Sequence, residues 1–175
     1  MKNKLQYVVL FTILHISTSA WSADNLKFKG KLIIPNCTIN NNNAIETDFG
    51  DIEIQTIAKA NTGYHWKKIS IPVSCPYVMG TPKIKITGKK GTAENSIQTD
   101  KYSNEKLAIY LKQSTASGGQ GNNISLQQNV SLNSAAVNSA KNNVYLTAGV
   151  AREGEMSLLK PGPFSASATM ELRYE

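Results

Sequence analysis

Residues 164–175 read FSASATMELRYE, and the reading of this stretch decides the fold. Phe164, Ala166, Ala168, Met170, Leu172 and Tyr174 fall at one parity, and Ser165, Ser167, Thr169, Glu171, Arg173 and Glu175 at the other. Successive side chains of a strand point to opposite faces, so this unbroken alternation predicts a half-buried β-strand. The sequence stops at Glu175, so the strand is expected to have no successor. Its outer neighbour must then come from elsewhere in the chain or from another protein.

Earlier runs carry the same period. Ile69, Ile71, Val73 and Cys75 share a face of a strand over 68–75, where Pro72 points to an edge position or a bulge and Pro76 is a stop. Lys83 to Thr87 places Ile84 and Ile86 inward. Leu107, Ile109 and Leu111 mark another strand, and Val144, Leu146, Ala148 and Val150 a further one. Ile45 to Ile54 reads as short-strand material bent at Phe49-Gly50, and Ile124 and Leu126 begin another short strand. Residues 58–66, 88–105 and 117–123 read as loop or irregular chain, residues 131–141 have room for a turn of helix, and Pro161-Gly162-Pro163 turns the chain into its last run. Short strands separated by turn signals, with no strand–helix alternation, predict a single all-β sandwich.

Near the other end, Leu26, Phe28, Gly30 and Leu32 alternate with Lys27, Lys29 and Lys31. Gly30 takes a place where a side chain is expected, which suggests a close approach by another group. Two readings stay open: a first strand with a lysine-guarded edge, or an arm that docks outside its own domain. Ahead of this run, Lys2 and Lys4 precede an apolar stretch from Leu5 to Ile16 and a small, polar stretch to Ala23. That is the layout of a secretory signal peptide, expected over residues 1–22, and the apolar run is too short to span a membrane. Cys37 and Cys75 both survive cleavage. A secreted chain with one cysteine pair is expected to form one disulfide in an oxidising compartment.

The formal charge of +7 includes Lys2 and Lys4, so the mature chain is only mildly basic. Its lysines are scattered with few aromatics beside them, and no nucleic-acid partner is expected. His65 alone would have to serve any serine–histidine–acid triad or zinc site after cleavage, and nothing near Tyr64-His65-Trp66 nominates a partner. Gly88-Lys89-Lys90-Gly91-Thr92 lacks the spacing of a phosphate loop. A non-enzymatic protein without cofactor or metal is the expectation. A sandwich one strand short of closure has a different chemistry. It exposes core side chains and unpaired backbone groups along one edge. Filling that cleft with an alternating apolar strand stabilises by roughly 1.5–3 kcal/mol per buried side chain.

Taken in order, these stretches resemble the pilin subunits of chaperone–usher fimbriae. The residues that carry the resemblance are Phe28-Lys29-Gly30, Ile34 to Asn41 (IPNCTINN), Asp48-Phe49-Gly50-Asp51-Ile52, Ile69-Ser70-Ile71 and Ser74-Cys75-Pro76-Tyr77. Leu107 to Leu111 and Ala166 to Glu175, with Tyr174 next to last, complete it. The similarity spans the mature chain and runs nearest to the small tip-adaptor subunits of P-pilus-type fimbriae.

The resemblance implies an incomplete immunoglobulin-like β-sandwich that lacks its last strand. An N-terminal donor-strand extension would occupy residues 23–34 and the pilin domain residues 35–175. It implies that a periplasmic chaperone lends a strand beside Phe164, Ala166, Ala168, Met170, Leu172 and Tyr174, with two basic chaperone residues on the carboxylate of Glu175. At the outer-membrane usher, the arm of the next subunit would replace that strand. Donor-strand complementation between pilins is itself a standard instance of strand addition. Leu26, Phe28, Gly30 and Leu32 would fill the groove of the preceding subunit, with Gly30 as the arm glycine. Cys37–Cys75 would be the disulfide of the first two strands. The implied role is a minor tip subunit, an adaptor joining the adhesin to the fimbrial tip, secreted to the periplasm and then displayed in a cell-surface fimbrium. The alternatives are a repeating tip or major pilin, a terminator, or a sugar-binding adhesin using the aromatic patch at Tyr64-His65-Trp66.

Overall fold

The computed structural model describes residues 26–138 and 142–175; the expected signal segment, residues 1–22, lies outside them. The chain divides into two units, Met1–Leu32 and Ile33–Glu175. In the first, residues 26–32 form neither strand nor helix, and Leu26, Phe28 and Leu32 are exposed.

The second unit is a two-sheet antiparallel β-sandwich. One sheet holds β1 (Thr38–Ile39), β2 (Gly63–Ser74), β4 (Ser96–Gln98), β5 (Leu107–Ser114) and β9 (Asn143–Arg152) in the order β1-β2-β9-β5-β4. The short strands β6 (Gln120–Asn123) and β8 (Val137–Asn138) flank β5 and β9. The other sheet holds β3 (Pro82–Gly88), β7 (Asn129–Ser131) and β10 (Ala168–Tyr174) in the order β10-β3-β7. Ile71, Leu107, Ile109, Leu111, Val144, Leu146, Ala148 and Val150 from the first sheet meet Ile84, Ile86, Leu172 and Tyr174 from the second in one core. These are the positions that period-two alternation assigns to the inner face.

Several expectations change in detail. The last strand begins at Ala168 rather than at Phe164. β3 ends at Gly88, the partner of Ala168, so no ladder continues beyond it. Ser165 bonds elsewhere: it accepts from the Asp100 amide at 2.9 Å and donates to Asp100 Oδ1 at 3.0 Å. Residues 63–66, expected as loop, form the start of β2. The register slips by one residue between Tyr64 and Lys67, where His65 takes φ +51, and this bulge re-aims the strand. Tyr64 consequently packs on the core, whereas Trp66 joins a small cluster with Tyr102, Ala108, Tyr110 and Ala151. Gly63 and Gly149 make room for the Trp66 indole: a Cβ on Gly149 would stand 2.6 Å from the ring. Pro72 is paired on one side by Asn143, while β1 reaches only Val73 and Ser74. It therefore occupies the edge position its missing N–H requires.

Ile45 to Ile54 forms no strand; residues 43–53 are irregular and a 3-10 turn follows at Ile54–Thr56. The stretch 88–105, expected as irregular, contains β4 and a one-turn helix α1 (Tyr102–Glu105), and 117–123 contains β6. Ile124 and Leu126 are fully buried but lie in a connection before β7, its amides bonded to Leu111 O, Glu94 O and Ile86 O. Within 131–141, the turn of helix is a 3-10 turn at Ser134–Ala136, and residues 139–141 are outside the described part.

A half-buried and a buried charged group pin the connections. Glu153, next after β9, accepts from the amides of Thr92 (2.6 Å, on Oε2) and Ala93 (2.9 Å, on Oε1). It also accepts from the hydroxyls of Tyr102 (2.6 Å, on Oε2) and Tyr110 (3.1 Å, on Oε1). Burial alone would raise its pKa, but the donors outweigh burial and hold the carboxyl below its ordinary value. Both tyrosines are pushed up, by burial first and by the carboxylate second. Arg152 donates to the carbonyls of Ile57 (2.9 Å), Ala58 (2.8 Å) and Gly154, which ties the 57–58 connection to the end of β9. Cys37 and Cys75 form a disulfide across the β1–β2 pair.

Candidate functional site

The sandwich is open along one side. A groove of ≈ 1590 Å³ runs between the sheets. Its floor is Ile69, Ile71, Ile86, Ile97, Leu107, Ile109, Leu111, Leu146, Ala148 and Val150, contributed by both sheets. One rim is the segment 42–55, irregular between two 3-10 turns, and the other is 159–170. At one place Phe49 and Phe164 face each other from the two rims, with ring centroids 6.2 Å apart.

The second rim leads into β10, whose two edges differ. Toward β3 the ladder is complete: Glu175 and Thr81 exchange backbone bonds at 3.1 and 2.7 Å, and the register runs unbroken from Tyr174↔Pro82 to Ala168↔Gly88. In an antiparallel pair, alternate residues direct both backbone groups to the same side. Glu175 bonds toward β3, so Arg173, Glu171 and Thr169 do the same. Tyr174, Leu172, Met170 and Ala168 direct their N–H and C=O groups away from β3. On that far edge one bond is made among the described residues, from Cys37 N to Leu172 O at 2.7 Å. The groups of Ala168 and Met170 on this edge border the groove without a strand beside them.

The side chains show the same openness. Leu172 and Tyr174 are buried, Met170 and Phe164 are half-buried, and Ala166 and Ala168 are exposed although their parity is inward. Nothing in the described sandwich covers this half of the inner face. An extended segment with apolar side chains at alternate positions has the form to fill such a space, with ladder bonds on one side and hydrophobic burial beneath. Leu26, Phe28, Gly30 and Leu32 carry that pattern.

At the C-terminus, Glu175 bonds Lys83 Nζ through Oε2 at 2.8 Å and pairs with Arg173. The Lys83 hydrogen bond chiefly holds its side-chain carboxyl below the ordinary value. Gly80, with φ +97, passes so close that a Cβ there would stand 2.5 Å from Glu175 O. The end of β10 is thus fixed from the β3 side. The Tyr64-His65-Trp66 run does not gather into one patch, because the bulge separates Tyr64 from Trp66. Lys112 Nζ lies 4.8 Å from the Trp66 ring centroid, and His65 Nε2 faces the Thr56 hydroxyl. Among the described residues, no group of three or more histidine, cysteine, aspartate or glutamate side chains could hold a metal ion.

Sequence reasoning placed β10 at the groove but missed the opposite rim. Glu46, Asp48, Asp51 and Glu53 are exposed along it, in a stretch read as strand. Their signal was available: four carboxylates in eight residues suit a solvated rim better than a paired strand.

The profile of a family described as "Fimbrial protein" matches residues 26–175. The chain is 38% identical to the fimbrial protein PrsE of Escherichia coli, over 91% of this chain and 90% of that protein. It is 30% identical to the E. coli fimbrial adapter PapF, over 94% of this chain and 96% of that one. Among solved structures, the P pilus adaptor subunit PapF superposes with a TM-score of 0.53 at 27% identity, covering 82% of this chain and 98% of that chain. The P pilus rod subunit PapA superposes with a TM-score of 0.59 at 20% identity, over 86% and 99%, and shows the shared fold alone.

Proposed function

The chain belongs to the fimbrial protein family, and on that premise we propose that it is assembled into a cell-surface fimbria by accepting and donating β-strands. The observation that carries this is the far edge of β10, where alternate backbone groups border an open apolar groove. Its role is mechanical rather than catalytic. A periplasmic chaperone first supplies the missing strand, contacting β10 and the carboxylate of Glu175. At the outer-membrane usher, the arm of the incoming subunit displaces it. The segment 23–34 is the donated strand, with Leu26, Phe28 and Leu32 as the inserted side chains and Gly30 where the arm must lie flat. Residues 1–22 direct the chain to the periplasm.

Within the fimbria we assign a minor subunit at the tip, an adaptor between adhesin and shaft, because relatives along nearly the full chain carry the names minor fimbrial protein and adapter. A second reading, a repeating subunit rather than an adaptor, fits the higher identity to PrsE, whose name, fimbrial protein, specifies no adaptor role. Deleting residues 23–33 tests the assembly reading. The shortened chain should still co-purify with its chaperone but fail to enter fibres. Loss of chaperone binding would instead make the segment an internal strand.

A further inference from the structure

We propose that the groove is built to take the arm of a second copy of this chain, selected by charge as well as by shape; this rests on the strand-exchange reading above. The groove is apolar beneath, but its rim is acidic. Glu46, Asp48, Asp51 and Glu53 line it, all exposed and none in an ion pair among the described residues. Asp48 is engaged locally, accepting from the Gly50 amide at 2.8 Å. The other charged lining groups are Lys101 and Lys160, together with Glu105, whose Oε2 lies 3.4 Å from the Lys160 amide. Across the groove the outward face of β10 is mixed in charge, with exposed Glu171 opposite Lys85 and Arg173 paired with Glu175. The solvent side of a strand lying here is therefore flanked by carboxylates along the 46–53 rim and by mixed charge along β10.

The arm presents the complement. Lys27, Lys29 and Lys31 occupy every position between Leu26, Phe28, Gly30 and Leu32. With the apolar set turned into the groove, all three ammonium groups lie outward, about 7 Å apart along the strand. Opposite charges at facing positions on one side of a sheet attract, and a patch of one sign speeds the approach of the other. A donor strand with neutral or acidic outward residues would fit the floor equally well and lose this term. The chain carries both halves of the match, which allows it to repeat head to tail and so favours the second reading above, a repeating subunit, over a single-copy adaptor.

The test uses the full mature chain, residues 23–175, refolded with its disulfide intact in the presence of excess labelled peptide. The native peptide spans residues 23–34; one variant carries Lys27→Glu, Lys29→Glu and Lys31→Glu, and another carries serine at these three places. Insertion is read as an SDS-resistant complex. The native peptide should insert about tenfold faster than the acidic one at low salt, the lower end of electrostatic steering, and the gap should close at high salt. A chain with Glu46→Lys, Asp51→Lys and Glu53→Lys should prefer the acidic peptide, and its uptake of the serine peptide shows that it still folds. Equal rates for native and acidic peptides at low salt would overturn the inference. So would insertion of the serine peptide alone, and both outcomes leave strand acceptance standing. If no peptide inserts, the strand-exchange reading fails with it.

Discussion

Glu153→Gln should destabilise the sandwich by about 1 kcal/mol, the net worth of one solvent-accessible hydrogen bond from a backbone donor. The size of the effect follows from which oxygen serves which donor. The Thr92 amide bonds Oε2 and the Ala93 amide bonds Oε1. A glutamine presents one oxygen and one NH₂. Whichever way its amide is turned, one of the two backbone N–H groups faces another donor. The Tyr102 and Tyr110 hydroxyls can rotate to accept, so they soften the loss without removing it. The pH dependence has a definite sign. The folded carboxyl titrates below its ordinary value of 4.5. Its contribution is therefore complete above that value and is lost as the pH falls through the folded pKa. Urea unfolding of the two proteins, each loaded with the arm peptide, should show the gap at neutral pH and a shrinking gap below about pH 4.5. Equal midpoints at neutral pH, or a gap that does not change with acid, would refute the reasoning.

Other changes act on neighbouring parts. Replacing Cys37 and Cys75 by serine opens a loop whose ends lie 38 residues apart, and should cost about 4 kcal/mol in denaturant unfolding on the chain-entropy account. Gly149→Ala pushes a methyl group into the Trp66 indole, 2.6 Å from the built Cβ. It should cost about 1–3 kcal/mol and shift the emission of Trp66. Arg152→Lys keeps the charge but cannot serve the carbonyls of Ile57, Ala58 and Gly154 together. A loss of about 2 kcal/mol is expected, and proteolysis should begin at the 57–62 connection.

The sequence was most informative where one face is buried and the other wet. The inner residues of β2, β5, β9 and β10 were legible from alternation alone, because the pleat and the single buried face impose period two. Elements set by long-range partners were not. β4 is three residues long and exists because β5 lies beside it. Gly63 to Trp66 is strand because β9 extends to pair it, and the bulge at His65 hides its period. Ile124 and Leu126 are buried by a connection, so their apolarity mimics a strand. Alternation begins four residues before β10 does, because it continues where β3 has already ended. At the candidate site, the alternating residues of 164–174 were readable, whereas the acidic rim required knowing which loop lies across the groove.

The central claim is that the far edge of β10 lacks a strand until a partner supplies one. Amide hydrogen exchange, residue by residue on the mature chain, reads that edge directly. The amides of Thr169, Glu171 and Arg173, which face β3, should be protected with or without a donor. Those of Ala168 and Met170, which border the groove, should exchange freely in the isolated chain and gain about a hundredfold or more protection once the arm peptide is bound. Equal protection of both sets in the isolated chain, unchanged by the peptide, would contradict the account.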